Sequence, residues 1–331
     1  MLSRLDQKPR PDQPLVMLLG NDIDEEDHDL LFPALRDQGI SVIRVHPYEL
    51  TVEVADEEFS FLVAGQKIEP DLVVGWVLED LLYPGMAQLE AFSAAGIPVI
   101  NEALTLFRAQ NKFVTSALLA AEGALSYPVI TGREPELFED WISGRSEPAV
   151  LKPLFGFGGE GLRRVQNGEE ASEILATLKQ SNEPYYAMPW VDNPGRDIRV
   201  YTINHVPVFA MYRYAPSGQW ITNVRAGGEI AMCPLTDSII SLASQASRAV
   251  GTLIGGIDIG EDQTTGELVV YEVNSCPSCE PPVLEALTDF LAAAARDLDS
   301  ALMNWRPEKV YDRLDEDAAL FHRSKQRLIR K

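Results

Sequence analysis

The sequence predicts an α/β protein that becomes α+β in its later part, and three observations carry that prediction. Apolar strand segments alternate with helical ones through the first hundred residues. A glycine-rich run, Gly156-Phe157-Gly158-Gly159-Glu160-Gly161, sits inside a β-rich stretch, and an acidic hairpin lies between two late helices. The 331 residues are enough for two or three domains with cores of their own. The expected divisions are 1–104, 105–190, 191–305 and a charged helical tail at 306–331.

In order, residues 14–20 read as a buried strand and 29–38 as a short helix closed by Gly39. Residues 40–45 and 71–76 are strands, 86–95 a helix ended by Gly96, and 97–101 a last strand, giving an open, mostly parallel layer. No GxGxxG follows Gly20-Asn21-Asp22, so a dinucleotide site there has no support. Residues 103–122 read as one long helix stopped by Gly123. From 125 to 187 a smaller β-rich unit holds one helix, 171–179. Strands at 198–204 and 206–214 lead to a polar loop through Arg225-Ala226-Gly227-Gly228. A helix at 237–251, the acidic hairpin, and an amphipathic helix opened by Pro281-Pro282 and running to about residue 305 complete the pattern.

Hydrophobic residues make up 46% and charged residues 24%, an ordinary globular balance. The net charge of −22 argues against sequence-independent binding to nucleic acid or to an anionic membrane. It also requires that an anionic substrate meet a local cationic pocket. No stretch approaches the roughly 18 uninterrupted apolar residues of a membrane span, and the polar start has no signal-peptide core. Cys233, Cys276 and Cys279 form no disulfide framework, so a cytoplasmic setting is expected. Cys276-Pro277-Ser278-Cys279 has CxxC spacing but no second pair at zinc spacing. The four histidines suggest no Ser-His-Asp constellation.

The acidic hairpin is the most informative feature. A turn centred near Thr265 sets Asp258 opposite Glu272, and Asn274 shares the face of Glu272 because strand side chains alternate. Facing carboxylates repel unless a cation lies between them. Three oxygen donors without His or Cys suit a hard ion that works with phosphates, Mg2+. The other reading is a solvated acidic face.

Lys152 lies in a strand directly before the glycine run. A P-loop is excluded, because the lysine precedes the glycines and a strand follows them. A glycine hairpin with Gly158 and Gly159, beside a cationic strand, can fold over phosphates with backbone N–H donors; the alternative is a tight turn. Lys112 stands within the preceding helix, where lysines are usually solvated. The connector Met188-Pro189-Trp190-Val191 is either an ordinary inter-domain strand or a wall for a flat base, with Asp192 or Asp197 near a ribose. Arg199 and Arg213 lie in apolar strands and need anionic partners, either Asp258 or Glu272 or a substrate group.

Taken together, Asp197-Ile198-Arg199, Asn223-Val224-Arg225-Ala226-Gly227-Gly228, Gly256-Ile257-Asp258 and Glu272-Val273-Asn274-Ser275-Cys276-Pro277 resemble the ATP-grasp carboxylate–amine ligases, in the RimK-like glutamate-ligase branch. The resemblance runs from about residue 97 to about residue 287. It implies an ATP-grasp fold behind a preceding α/β domain, with Lys112 and Lys152 on ATP phosphates and residues 188–191 at the adenine. It further implies Asp258, Glu272 and Asn274 on Mg2+ (two ions, with Mn2+ as a substitute), and Arg199, Arg213, Asn223 and Arg225 toward substrate and reaction. The implied activity joins an amino acid, glutamate first, to a carboxylate acceptor through an acyl phosphate, in a homo-oligomer (dimer or tetramer). Three departures stand on the acceptor and base sides: Pro189 where the family has an acid, Arg225-Ala226 where it has His-Arg, and Cys276-Pro277-Ser278 where it has Ser-Pro-Gly. The competing classes are a silent ATP-binding sensor or scaffold and a nicotinamide oxidoreductase.

Overall fold

Six consecutive residues, Leu15–Gly20, form β1, and all six are buried because a parallel sheet is covered on both faces. The computed structural model describes residues 10, 12–20, 25–156, 161–166, 168–178, 184–222, 229–278, 280–308 and 310. After α1 (Glu25–Asp37), β2 (Ser41–Val45) pairs with one side of β1. A meander then follows that the sequence pattern did not reveal: β3 (Leu50–Ala55), β4 (Glu58–Val63) and β5 (Gln66–Lys67). The reason is its turn chemistry. Asp56 and Glu57 take φ of 51° and 67°, a conformation for which glycine or asparagine is the usual signal. β6 (Leu72–Trp76) lies on the other side of β1, and α2 (Leu82–Ala94) leads to β7 (Val99–Ile100). The order β2-β1-β6-β7, with every pair parallel, is the expected open α/β layer.

The expected long helix is two. α3 (Ala103–Gln110) and α4 (Lys112–Ala121) are broken at Asn111, whose extended backbone ends one and whose Oδ1 accepts from Val114 N–H at 3.0 Å to cap the next. Lys112 therefore stands in a first turn, not mid-helix. Next come β8 (Ile130–Gly132), α5 (Pro135–Ser143), β9 (Ala149–Pro153), β10 (Arg163–Val165), α6 (Gly168–Leu178) and β11 (Tyr185–Pro189). They build an antiparallel sheet in the order β10-β9-β11-β8. Two helices, not one, cover it: Phe138 and Ile142 of α5 join Ala171 and Leu175 of α6 in its core. β11 is an interior strand of this sheet.

The last sheet holds β12 (Arg196–Ile203), β13 (Val206–Tyr214), β14 (Glu229–Met232), β15 (Ile254–Glu261) and β16 (Leu268–Asn274), in the order β14-β13-β12-β15-β16. α7 (Asp237–Val250) covers one face, where Ala243, Ala246 and Val250 meet Ile198, Val200, Ile257 and Ile259. α8 (Pro281–Arg296) covers half of the other, and α9 (Leu298–Asn304) follows it. The split is written in β12. Its odd positions read Asp197, Arg199, Tyr201, Ile203. The apolar pair packs with Phe290 and Leu291 of α8 and with Val16 and Val74 of the first sheet, while the charged pair is left at the cleft end. Buried Asn101 ties the layers together. Its amide donates to the carbonyls of Ile254 (2.8 Å) and Ser275 (2.9 Å), and its oxygen accepts from Leu253 N–H (2.8 Å).

Candidate active site

Sheet register brings the charges together. Arg199 and Asp258 are directly paired across β12 and β15, and Asp197 and Arg213 across β12 and β13, so each guanidinium meets a carboxylate on one face. Arg199 grips Asp258 through Nε and through Nη2 (3.1 Å). Arg213 holds Asp197 through Nε (2.7 Å) and Nη2 (2.6 Å), and its Nη2 also reaches Asp258 at 3.0 Å. Thr222 donates to the same Asp197 carboxylate at 2.7 Å. The two arginines thus find their anionic partners within the protein. Burial pushes the Asp258 carboxyl up, but the two guanidiniums outweigh it and hold it below its ordinary value.

The hairpin pairs Asp258 with Glu272 and Gly256 with Asn274. Near the turn the register is Glu261–Leu268, Gly260–Val269 and Ile259–Val270, which continued unchanged would set Asp258 against Tyr271. A β-bulge at Tyr271 inserts one residue and brings Glu272 opposite Asp258 instead. The bulge also breaks the alternation. Val270 and Val273 both point into the α7 core, and Tyr271 and Glu272 both line the cleft. Tyr271 fits because Gly260 lies beneath it: a Cβ there would fall 2.1 Å from the ring.

The cleft encloses about 710 Å3, counting space open to solvent. Val150, Leu162, Met188, Trp190 and Trp220 wall one end, and Lys152, Asp258, Glu272 and Arg213 lie toward the other. Pro189, Val191, Asn193, Asp197 and Thr222 also line it. Trp190 and Trp220 meet edge to face at 5.4 Å, and the Arg164 guanidinium lies 4.1 Å over Trp190. Trp190 N–H is spent on Pro148 O at 2.7 Å; among the described residues Val191 N–H has no such partner. Such an end is apolar, lined by aromatic rings and bordered by an uncommitted backbone N–H, as a planar base requires.

Lys152 stands 5.7 Å over the Tyr271 ring. Burial lowers its ammonium from 10.5 to about 8; Glu272 and Asp258 oppose that fall and Lys112 adds to it. Lys112 is buried; its N–H donates to Leu154 O (3.1 Å) and its Nζ to Gly156 O (2.8 Å), so the break at Asn111 delivers it to the stem of the glycine run. Gly158, Gly159, Asn223 and Arg225 lie outside the described residues.

The donor set fits a divalent cation in a particular way. Among the described residues no three His, Cys, Asp or Glu side chains gather closely enough to hold a metal alone. The Glu272 carboxylate makes no hydrogen bond or ion pair among those residues. Asn274 donates its amide N–H to Gly256 O at 3.1 Å, leaving its oxygen free as a donor to a cation. Two oxygen ligands beside a carboxylate neutralised by arginine suit Mg2+, which takes few protein ligands and completes its shell with water and phosphate oxygens.

Sequence reasoning missed Trp220, Thr222 and Tyr271. A strand glycine at position 260 was the available sign of a bulge or close approach; the two cleft-lining residues after β13 left none.

The RimK-like ATP-grasp domain family model matches residues 109–289. A tetrahydromethanopterin:α-L-glutamate ligase of Methanosarcina acetivorans is 32% identical over 216 residues, 57% of this chain and 66% of that protein. Two further ligases of that name match over 63% of their length, so the chain spans just under two thirds of these relatives. A probable α-L-glutamate ligase of Alkalilimnicola ehrlichii is 28% identical over 76% of this chain and 83% of its own. Among solved structures, D-alanyl-alanine synthetase A from Vibrio cholerae superposes with a TM-score of 0.68 at 16% identity, over 89% of this chain and 100% of that one. The ATP-grasp ligase PsnB, solved with minimal precursor, Mg and ADP, gives 0.65 at 20% identity over 85% and 98%. At these identities the structural likeness speaks for the fold.

Proposed function

The chain belongs to the RimK-like ATP-grasp family, and from that premise we propose that it is an ATP-dependent carboxylate–amine ligase. The observation that carries the reading is one cleft that runs from an apolar, tryptophan-walled end to Lys152 and the Asp258–Glu272 pair. In this reading residues 1–104 precede the nucleotide-binding part and 105–190 and 191–305 enclose the nucleotide; the expected tail at 306–331 lies, from residue 311 on, outside the described residues. ATP lies with its base between Met188, Trp190 and Trp220, and Val191 N–H and the Pro189 carbonyl address the base edge. Lys112, Lys152 and the backbone at Gly158 and Gly159 meet the phosphates. Glu272 and Asn274 would hold Mg2+ directly, with Asp258 between the arginines completing the acidic site as the charge beside them; two ions in the full complex, with Mn2+ as substitute, would neutralise phosphate charge.

The chemistry needs no covalent protein nucleophile. A substrate carboxylate attacks the γ-phosphorus and ADP leaves. An amine then attacks the acyl phosphate, phosphate leaves, and an amide remains. The protein contributes positioning and charge neutralisation. Arg213 and Arg199 fix Asp258 and keep it ionised, Lys152 offers a desolvated cation to the transferring group, and Arg225 with Asn223 faces the substrate carboxylate. Because Asp197 is held by Arg213 and Thr222, a ribose hydroxyl would meet an already oriented carboxylate. The relatives' names support glutamate as the amino acid, and those of the tetrahydromethanopterin ligases a pterin-type acceptor; a peptide or small-molecule acceptor and a cytoplasmic homo-oligomer belong to the same proposal.

The test is ADP release with ATP and Mg2+ against a panel of amino acids and acceptors. Glutamate-dependent ADP release with an amide product is expected. Failure to bind ATP or ADP with Mg2+ would refute the reading.

A further inference from the structure

The bulge that presents Glu272 is held from outside its own sheet. The Tyr127 hydroxyl, from the segment entering the small sheet, donates to the carbonyl of Val270 at 2.5 Å, beside the inserted residue. A bulge leaves one residue out of the ladder and locally disrupts it; without it Asp258 would face Tyr271, not Glu272. Tyr127 is the one described side chain outside β15 and β16 that hydrogen-bonds the backbone at the Val270–Glu272 bulge. From this we propose that Tyr127 is a positioning residue for the metal-binding carboxylate. Its hydroxyl locks the bulged register and so fixes Glu272 opposite Asp258.

Three further observations agree. Burial pushes the Tyr127 phenol well above its ordinary value, which keeps it a donor throughout the physiological range. Tyr127 packs against Tyr186 and Met188 of β11, so the strand that walls the base end and the strand that carries Glu272 are tied through one ring. From the other side, Gly260 leaves the slot that the extra residue's ring fills. The lock and the slot are separate devices acting on one backbone irregularity.

The inference rests on the ligase reading, and its test separates the two. ADP binding is measured by calorimetry with Mg2+ and with a chelator, and Mn2+ binding by electron paramagnetic resonance, on wild type, Tyr127→Phe, Gly260→Ala and Tyr185→Phe. Tyr127→Phe keeps the ring and removes the donor. It should retain metal-free ADP affinity and weaken Mg2+-supported ADP binding and Mn2+ binding about tenfold, the scale of one lost hydrogen bond. Gly260→Ala, which displaces the Tyr271 ring, should do the same by an independent route. Tyr185→Phe removes a hydroxyl that bonds Leu175 O at 3.4 Å in the core of the small sheet, away from the bulge, and should behave as wild type. Unchanged metal-supported binding in folded Tyr127→Phe, or in Gly260→Ala should the first variant not fold, overturns the lock. Absence of metal-supported ADP binding in wild type removes the ligase reading and this inference with it.

Discussion

Replacing Lys152 with Met should stabilise the nucleotide-free protein and weaken nucleotide binding, two effects of opposite sign from one ammonium. The side chain keeps its length and apolar body and loses its charge. In the folded protein burial lowers the ammonium from 10.5 to about 8, even with Glu272 and Asp258 nearby. At about 1.4 kcal/mol per pH unit, holding Lys152 protonated in the fold costs on the order of 3 kcal/mol. The sign follows from proton counts. Below about pH 8 both states carry the proton and the cost is present in full. Between about 8 and 10.5 the unfolded chain keeps its proton and the folded protein sheds it, so wild-type stability rises with pH. Above that window both are neutral and the cost is gone. The variant's advantage should therefore be largest at neutral pH and shrink across the window. Polyphosphate beside Lys152 should return its proton, so ATP binding should take up protons near the lower end of the window. Loss of a charge-assisted hydrogen bond should weaken ATP roughly 10- to 100-fold. Urea unfolding at several pH values gives the stabilities; calorimetry in buffers of different ionisation enthalpy gives affinity and proton uptake. A variant less stable than wild type, or one whose advantage is the same at every pH, would refute the reasoning.

Glu272→Gln should abolish metal-supported ADP binding and turnover while leaving the melting temperature nearly unchanged, since Asp258 is already neutralised by Arg199 and Arg213; full ATP-dependent activity would contradict the assignment. Asp197→Asn removes one partner of a buried pair and should cost about 3–5 kcal/mol in urea unfolding, so a stable variant with only weaker ATP affinity would make Asp197 a nucleotide ligand first. For Arg225, outside the described residues, Lys should retain part of the glutamate-dependent ADP release and Met should lose nearly all of it. A guanidinium fork grips a carboxylate with two hydrogen bonds and an ammonium keeps only the charge. Unchanged glutamate dependence in Arg225→Met would place the acceptor pocket elsewhere.

What the sequence disclosed and what it hid follow from the range over which each signal acts. The open α/β layer was legible because the β1 and β6 runs are apolar on both faces, a local pattern. The β3–β4 hairpin was not, because its turn uses Asp56 and Glu57 where glycine would have announced it. The helix break at Asn111 carried its cap in the sequence, yet good helix formers on both sides concealed it. Most of the candidate cluster was found because acidic residues in apolar strands demand partners, and cross-strand register then supplied Arg199 and Arg213.

The pairing of Asp258 with Glu272 was anticipated from a turn centred on Thr265, but the turn itself is centred half a residue earlier, and the bulge makes up the difference. The same bulge put Tyr271 in the cleft, a place that alternation denied it. An irregularity of one residue is cheap to encode and invisible to periodicity. It persists only where surrounding groups over-determine it, here a tyrosine hydroxyl on one side and a missing Cβ on the other. Local rules are therefore expected to fail at this hairpin first, because the position of its carboxylate is set by the packing of two sheets and not by either strand alone.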